Sequence, residues 1–296
     1  MKHAILGAGG VGGLIGGVLV AAGDDVTLVV REAALASHPH ELLVERPKGA
    51  LRVPVTLATT LDRPVDVLWI SVKATQLEAA LAAIALAPAE IGAVVPLLNG
   101  IDHVALLRAR FGDERVLPAT IRVEAERIAP GHIAQHSLFA HIEFAAHGKE
   151  RLGAAIAHLN AGEITTSFEE SETTLLWSKL SVLAPLALTT AASGLTKGAV
   201  FDQPLWLHRL EAAVNETRAV GIAEGANLPA RPFLEIFAIV PAPFQSSMLR
   251  DVAAGRRPEL DAIAGPILRA GDEHGLNVDT IRELASMIAE KGATPA

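Results

Sequence analysis

The first half of the chain alternates short, largely apolar runs with longer segments that are rich in alanine and leucine. The apolar runs have the length of buried strands: HAIL (3–6), VTLVV (26–30), VDVLWISV (65–72) and GAVVPLL (92–98). Two of the segments that separate such runs, 75–86 and 102–110, have their apolar positions at helical spacing. Strands that alternate with helices predict a mainly parallel sheet.

Strands become shorter and more polar after about residue 120. Two of them are HIAQHS (132–137) and AHIEFAA (140–146), and the pair Pro130-Gly131 predicts a turn just before the first. We expect these strands to make an antiparallel addition to the sheet, followed by a helix at 149–159.

The rest of the chain has helical periodicity. Apolar positions recur with helical spacing in the segments 171–194, 207–228 and 277–292. The change of period predicts an α/β domain with a doubly wound sheet over residues 1–168 and an all-helical domain over residues 169–296.

Composition limits the partners that this chain can have. Half of its 296 residues are hydrophobic, which is enough for two cores, and a net charge of −8 offers no basic surface to nucleic acid. The absence of cysteine excludes disulfides and thiolate metal sites. His132 and His136 lack the glutamate that a zinc protease places between such histidines, so no metal site is predicted. We expect a cytoplasmic protein that binds small molecules.

Two uncharged stretches, residues 4–23 and 180–196, have the apolar character of membrane segments. The first contains eight glycines and would make a poor apolar helix. The second falls short of the roughly 20 residues that a span needs, and it contains Pro185. We therefore predict no membrane segment, and a buried core helix at the second stretch.

The first uncharged stretch contains a glycine motif, G-x-G-x-x-G, directly after the first predicted strand. Such a loop opens a helix whose free backbone N–H groups bind the pyrophosphate of a dinucleotide. A second strand follows at the distance expected for one βαβ unit. The residues predicted to contact a dinucleotide are Gly7, Ala8, Gly9, Gly10, Val11 and Gly12.

The tip of the second strand distinguishes the two nicotinamide dinucleotides. An acidic side chain there hydrogen-bonds the ribose 2′-hydroxyl of NAD, whereas an arginine accommodates the 2′-phosphate of NADP. In this chain VTLVV runs into Arg31, which favours NADP(H). The alternative is that Arg31 only solvates the strand end and that Glu32 takes the acidic role.

Hydride transfer to a carbonyl needs a proton donor and fixed hydrogen bonds, and lysine is a suitable donor. Three lysines interrupt apolar segments: Lys73, Lys179 and Lys197. Lys73 follows a strand at the sheet edge where α/β folds bind ligands, and Asn99 in PLLNG follows the next strand. Each lysine has the alternative of a solvated surface charge, and Asn-Gly is also a common turn pair.

Seven segments together resemble the ketopantoate reductases (2-dehydropantoate 2-reductases), in the same order along nearly the whole chain: GAGGVGG, LVVR, SVKATQ, LLNG, PG (130–131), LWSKL and SSMLRDVAAGRRPELDAI. The resemblance implies a Rossmann-type domain and a helical domain between which NADPH reduces a 2-keto acid to a 2-hydroxy acid. In that family the reaction converts ketopantoate to pantoate for pantothenate biosynthesis. A homodimer is compatible with it.

The resemblance also implies roles for individual residues. Lys179 matches the proton donor of the family, and Arg31 matches the contact to the 2′-phosphate. Lys73 and Asn99 are implied beside cofactor and substrate. Two further residues, Ser247 and Glu259, are similar to the serine that binds substrate and to the glutamate near the nicotinamide ribose and the substrate hydroxyl.

The chain departs from the family pattern where Leu183, Ala187 and Lys197 replace asparagines. Apolar side chains remove hydrogen-bond partners for a polar substrate tail, so the identity of the 2-keto acid stays open. Two alternatives to the reductase remain: a non-catalytic NADPH-binding sensor, and a related hydroxy-acid or opine-type dehydrogenase with another substrate.

Overall fold

The computed structural model describes residues 1–230 and 233–293. The last three residues of the predicted helical domain lie outside the described residues. The chain folds into two compact units. Unit 1 comprises Met1–Leu98 and His103–Glu172, and unit 2 comprises Asn99–Asp102 and the residues from Thr173 onward. The division after Glu172 lies slightly beyond the predicted boundary at residue 168.

The strands of the described residues are β1 (Lys2–Leu6), β2 (Asp25–Val29), β3 (Glu41–Glu45), β4 (Leu51–Pro54), β5 (Thr56–Ala58), β6 (Val65–Ile70), β7 (Ile91–Pro96), β8 (Ala119–Arg122), β9 (Ala125–Ala129), β10 (His132–Gln135), β11 (Ala140–Ala145) and β12 (Ile164–Glu169). A parallel sheet with the order β5-β2-β1-β6-β7 forms the centre of unit 1. Four of its strands are those predicted from the apolar runs. The fifth, β5, is too short to give a sequence signal.

Two smaller sheets complete unit 1, with the orders β4-β3-β10-β9 and β12-β11-β8. The prediction of an antiparallel addition is confirmed only in part. Strand β10 pairs antiparallel with β9 but parallel with β3, and β11 pairs antiparallel with β8 but parallel with β12. Strand β3 lies about 90 positions before β10, so local spacing could not predict that pairing. Strand β12 follows β11 after helix α5, and no strand was predicted there.

The helices are α1 (Gly10–Ala21), α2 (Glu32–Leu35), α3 (Leu77–Leu81), α4 (His103–Phe111), α5 (Lys149–Ala161), α6 (Glu172–Ser193), α7 (Lys197–Asp202), α8 (Pro204–Ala223), α9 (Phe233–Ile236), α10 (Ser247–Ala253), α11 (Leu260–Glu273) and α12 (Asp279–Ala293). Short 3-10 helices occur at Ala74–Gln76, Pro88–Glu90 and Ala146–Gly148.

The prediction of a helix over residues 75–86 is wrong for its second half, because α3 ends at Leu81. After α3 the chain leaves helical geometry and pairs with Leu61, whose N–H donates to the Ala83 carbonyl at 2.8 Å. The Ala85 N–H donates back to the Leu61 carbonyl at 3.0 Å. Bonding to a distant segment therefore outweighs the helix propensity of the alanines.

A cluster of buried polar groups lies at the amino-terminal end of β1 and β2. Asp24 accepts hydrogen bonds from the Met1 α-ammonium and from His158 Nδ1, both at 2.7 Å. His3 lies beside the same carboxylate, and its Nδ1 accepts from Trp69 Nε1 at 3.2 Å. Burial lowers the pKa of His3 despite Asp24. For Asp24, burial raises the pKa, but the two hydrogen bonds together with the attraction of His3 and of the α-ammonium group outweigh it and hold the pKa below its usual value.

Unit 2 is helical in all its described secondary structure, and α6 runs through its core. Trp177, Leu188 and Ala191 of α6 pack in one buried cluster with residues of α11 and α12. The helix continues past Pro185, as predicted from the sequence, and ends where Lys291 Nζ donates to the Ala192 carbonyl at 2.6 Å. Among the described residues, α6 alone has the length and hydropathy of a membrane span, and 72% of that window is buried.

Candidate active site

The glycine loop between β1 and α1 has the backbone geometry that its motif predicts. Gly7 has a φ of +105°, where side chains are strained, and a Cβ on it would lie 2.7 Å from Val72 Cγ1. Gly12 lies one turn into α1, and a Cβ there would approach the Gly7 carbonyl to 2.1 Å and Ser71 Oγ to 2.3 Å. These two glycines therefore allow the turn and the close packing of helix on strand.

Gly9 differs from its neighbours because it faces open space. A Cβ on Gly9 would meet no atom within 4 Å. Gly9 is the N-cap of α1, and no side chain caps the helix there or places a negative charge in its first turn. The free N–H groups and the positive end of the helix dipole thus meet a space that a phosphate group can enter. The loop fits a dinucleotide on these grounds.

Ser71 stabilises the glycine loop, and the sequence motifs did not indicate it. Its backbone N–H donates to the Leu6 carbonyl at 3.0 Å, and its hydroxyl donates to the Gly7 carbonyl at 2.8 Å. The serine follows β6, so the hydrogen bond joins the ends of two neighbouring strands. Its position directly before Val72-Lys73, at the end of a predicted strand, is the signal that could have revealed it.

Arg31 and Lys73 both follow strands of the central sheet at its carboxyl edge. Arg31 comes two residues after β2 and is exposed. Its backbone carbonyl accepts from the Ala34 N–H at 2.8 Å, and its side chain forms no hydrogen bond or ion pair within residues 1–230 and 233–293. Lys73 is half-buried and begins the 3-10 helix after β6. With the loop after β1, the structure brings these predicted cofactor residues of unit 1 to one edge of the sheet, as expected for an open α/β fold.

Three predicted residues of unit 2 form a continuous hydrogen-bonded chain. Lys179 Nζ donates to Asn99 Oδ1 at 3.1 Å, and Asn99 Nδ2 donates to Glu259 Oε2 at 3.3 Å. The ammonium can only donate and the carboxylate can only accept. The amide must therefore point its oxygen toward Lys179 and its nitrogen toward Glu259. Glu259 is only 8% exposed, while Lys179 is half-buried. The cluster places an ammonium group in a defined position.

Gly100 explains how Asn99 reaches this position. Its φ is +82°, and a Cβ on it would lie 2.1 Å from the Ala262 carbonyl of α11. Glu259 is the N-cap of the same helix. Only glycine lets the Asn99–Asp102 segment lie so close to α11, and the approach brings the amide to the carboxylate. The Asn-Gly pair therefore makes a turn and also brings Asn99 into this hydrogen-bonded cluster.

Ser247 is the predicted site residue that the structure does not bring into this hydrogen-bonded cluster. It is the exposed first residue of α10. Its neighbour Ser246 is buried, caps α10 by accepting from the Leu249 N–H at 3.1 Å, and lies 2.8 Å from Thr190 Oγ1. No group of three potential metal ligands occurs among the residues that the structure describes.

Comparison with known proteins covers both units of the chain. Residues 3–149 match the family model for "Ketopantoate reductase PanE/ApbA", and residues 173–292 match the model for the C-terminal part of the same family. The chain belongs to the ketopantoate reductase family. Ketopantoate reductases are oxidoreductases that act on the CH–OH group with a nicotinamide cofactor. The predicted combination of a Rossmann-type domain and a helical domain is thereby confirmed.

Individual relatives agree with this assignment. A 2-dehydropantoate 2-reductase of Caulobacter vibrioides is 31% identical over 287 residues, which cover 92% of this chain and 93% of that protein. The crystal structure of a PanE/ApbA family ketopantoate reductase from Ralstonia eutropha has a TM-score of 0.86 and 28% identity, covering 99% of this chain and 98% of that one. D-mandelate dehydrogenase with NADH and anilino(oxo)acetate has a TM-score of 0.85 at 22% identity, covering 99% and 98%, and shares the fold.

Proposed function

We propose that this ketopantoate reductase family member reduces a 2-keto acid to a 2-hydroxy acid with NADPH, as a 2-dehydropantoate 2-reductase does. The observation that carries the proposal is the ammonium group of Lys179, held by Asn99, which is in turn held by the buried carboxylate of Glu259. A positioned ammonium group is what a carbonyl oxygen needs when it gains negative charge.

Bound NADPH supplies a hydride to the carbonyl carbon of the substrate. Lys179 then transfers a proton from Nζ to the developing alkoxide, which gives the hydroxyl of the product, and the neutral amine regains a proton from water. An ammonium group has three N–H donors, so a bond to Asn99 is compatible with one to the substrate oxygen. Asn99 restricts the lysine side chain and so lowers the entropy that is lost when the reacting groups align.

In this proposal the cofactor is held by residues of unit 1. The N–H groups at the start of α1 would hold the pyrophosphate, and the guanidinium of Arg31 would hold the 2′-phosphate. Lys73 adds a positive charge at the same edge of the sheet. The side chain of Arg31 is exposed and has no partner within residues 1–230 and 233–293, which supports this role because its guanidinium is available to a ligand.

The proposal is tested by steady-state NADPH oxidation with a panel of aliphatic and aromatic 2-keto acids that includes ketopantoate. We expect the wild type to reduce at least one of them. Lys179→Ala should lower kcat by about 10²–10⁴-fold, the range for loss of a general acid, without weakening NADPH binding. Lys149→Ala is the matched control, because Lys149 lies 5.3 Å over the Phe168 ring and has no role in the proposed chemistry.

The same measurements separate the reductase from a nucleotide-binding sensor. A sensor would bind NADPH, as measured by calorimetry, and would turn over no member of the panel. A Lys179→Ala variant with the kcat of the wild type would contradict the role of the lysine. Thermal unfolding of each variant checks that a loss of activity is not a loss of fold.

A further inference from the structure

Helix α6 continues beyond Lys179 as an apolar surface. The positions that share a face with Lys179 over the next two turns lie three, four, seven and eight residues further on. They are occupied by Val182, Leu183, Leu186 and Ala187. Side chains of a helix lean toward its N-terminus, so Leu183 covers the surface next to the turn that carries the lysine.

Leu183 lies one turn beyond Lys179 on this surface, about 40° around the helix axis from it. It is half-buried, whereas Leu186 and Ala187 are only 5% and 2% exposed and belong to hydrophobic clusters. A molecule bound at the Lys179 ammonium group therefore meets the accessible part of a leucine side chain. It meets no hydrogen-bonding group from this face of the helix.

The first hydroxyl along the same face is Thr190, and its hydrogen bonds are made within the protein. Thr190 is 0% exposed, and its Oγ1 donates to the Leu186 carbonyl at 2.7 Å and lies 2.8 Å from Ser246 Oγ. Both groups are buried, so they serve the packing of α6 against α10. A polar substituent on the substrate would find no partner in this part of α6.

From this arrangement we infer that the enzyme selects 2-keto acids whose side chain is apolar and has no hydroxyl group, and that Leu183 is the residue that determines this specificity. The inference rests on the proposed function, because it takes Lys179 as the group that contacts the substrate oxygen. A hydroxyl placed against Leu183 loses its hydrogen bonds to water and gains none, which penalises hydroxylated substrates.

Trimethylpyruvate and ketopantoate form a matched pair for the test, since they differ only in the hydroxyl that ketopantoate carries. We expect wild-type kcat/KM to favour trimethylpyruvate by about tenfold or more, within the roughly 10²-fold by which apolar pockets reject an added hydroxyl. Leu183→Asn should shift this ratio toward ketopantoate by about tenfold, because the amide can bond the hydroxyl. Leu205→Asn, an exposed leucine of α8, is the matched control and should leave the ratio unchanged.

The outcomes are distinguishable. A wild-type enzyme that prefers ketopantoate overturns the inference and leaves the proposed function intact. A Leu183→Asn variant that is folded by circular dichroism but keeps the wild-type ratio overturns the role of Leu183. If NADPH is oxidised with neither compound nor with any other 2-keto acid, the proposed function fails and the inference fails with it.

Discussion

Asn99 shows what a single side chain contributes to this site. An amide both accepts and donates, so it can connect the ammonium of Lys179 to the carboxylate of Glu259. The sequence motifs indicated all three residues, but their association could not be predicted from spacing, because Asn99 is separated from the other two by 80 and 160 positions. Ser71 was not predicted as a site residue although it begins the segment SVKATQ, because its hydrogen bond to the Gly7 carbonyl joins segments 64 positions apart.

In the proposed function, one guanidinium group, that of Arg31, makes the enzyme prefer NADPH over NADH. Arg31→Ala should raise the KM for NADPH by about ten- to a hundredfold, the loss of a charge-assisted hydrogen bond of roughly 1.5–3 kcal/mol, and should leave the KM for NADH nearly unchanged. The measurement is the initial rate with each cofactor at a saturating concentration of the best 2-keto acid.

Arg63→Ala provides the control for Arg31, because it removes another exposed arginine of unit 1. Its cofactor preference should equal that of the wild type. If the KM values for NADPH and NADH rise equally in Arg31→Ala, the arginine contacts a part of the dinucleotide that both cofactors share, and not the 2′-phosphate.

At the scale of elements, the strand, loop and helix formed by β1, the glycine loop and α1 were predictable because every local signal agrees there. The apolar run, the glycine spacing and the following strand all point to one βαβ unit. The two smaller sheets were not predictable in the same way. Strand β3 pairs with β10 across a long separation, and four- or five-residue strands with mixed polarity give little periodicity.

Two glycines of the loop should respond differently to the same substitution. Gly12→Ala forces a Cβ to within 2.1 Å of the Gly7 carbonyl, so the free energy of unfolding should fall by about 1–3 kcal/mol or more. Gly9→Ala meets no atom within 4 Å, so it should cost less than about 1 kcal/mol, the loss of a favourable N-cap residue, yet weaken dinucleotide binding.

For both variants, urea unfolding measures the change in the free energy of unfolding, and calorimetric titration with NADPH measures the change in dinucleotide binding. Each variant serves as the control for the other, since both add one methyl group to the same loop. A Gly9→Ala variant that binds NADPH as tightly as the wild type would show that the open space at Gly9 does not face the pyrophosphate.

For the molecule as a whole, the division into a sheet unit and a helical unit follows from the change of hydrophobic period near residue 170. The buried polar groups of unit 1 could not be predicted from any such pattern. The pairing of His3 with Trp69, and of Asp24 with His158, joins residues that are 66 and 134 positions apart. Nothing in the local sequence around a histidine within a short strand indicates that it is buried against a carboxylate.

The buried His3 makes the stability of the protein depend on pH. Its pKa in the folded protein lies below the value of about 6.5 for the unfolded chain, so below pH 6.5 the unfolded chain binds a proton that the folded protein does not. The free energy of unfolding should therefore decrease as pH falls from 7 toward the folded pKa, by at most about 1.4 kcal/mol per pH unit from this group.

His3→Asn should flatten that dependence between about pH 7 and pH 5, because asparagine does not titrate but can still accept from Trp69 Nε1. Urea denaturation at a series of pH values gives the slope. His40→Asn replaces an exposed histidine and should keep the slope of the wild type. An unchanged slope in His3→Asn would mean that other groups cause the acid sensitivity.

The short Asn99–Asp102 segment belongs to unit 2 although unit 1 surrounds it in the sequence. Dissecting the gene at the boundary after Glu172 would therefore leave the C-terminal fragment with its lysine and its glutamate but without the amide that joins them. Neither fragment would contain the complete hydrogen-bonded cluster of Lys179, Asn99 and Glu259.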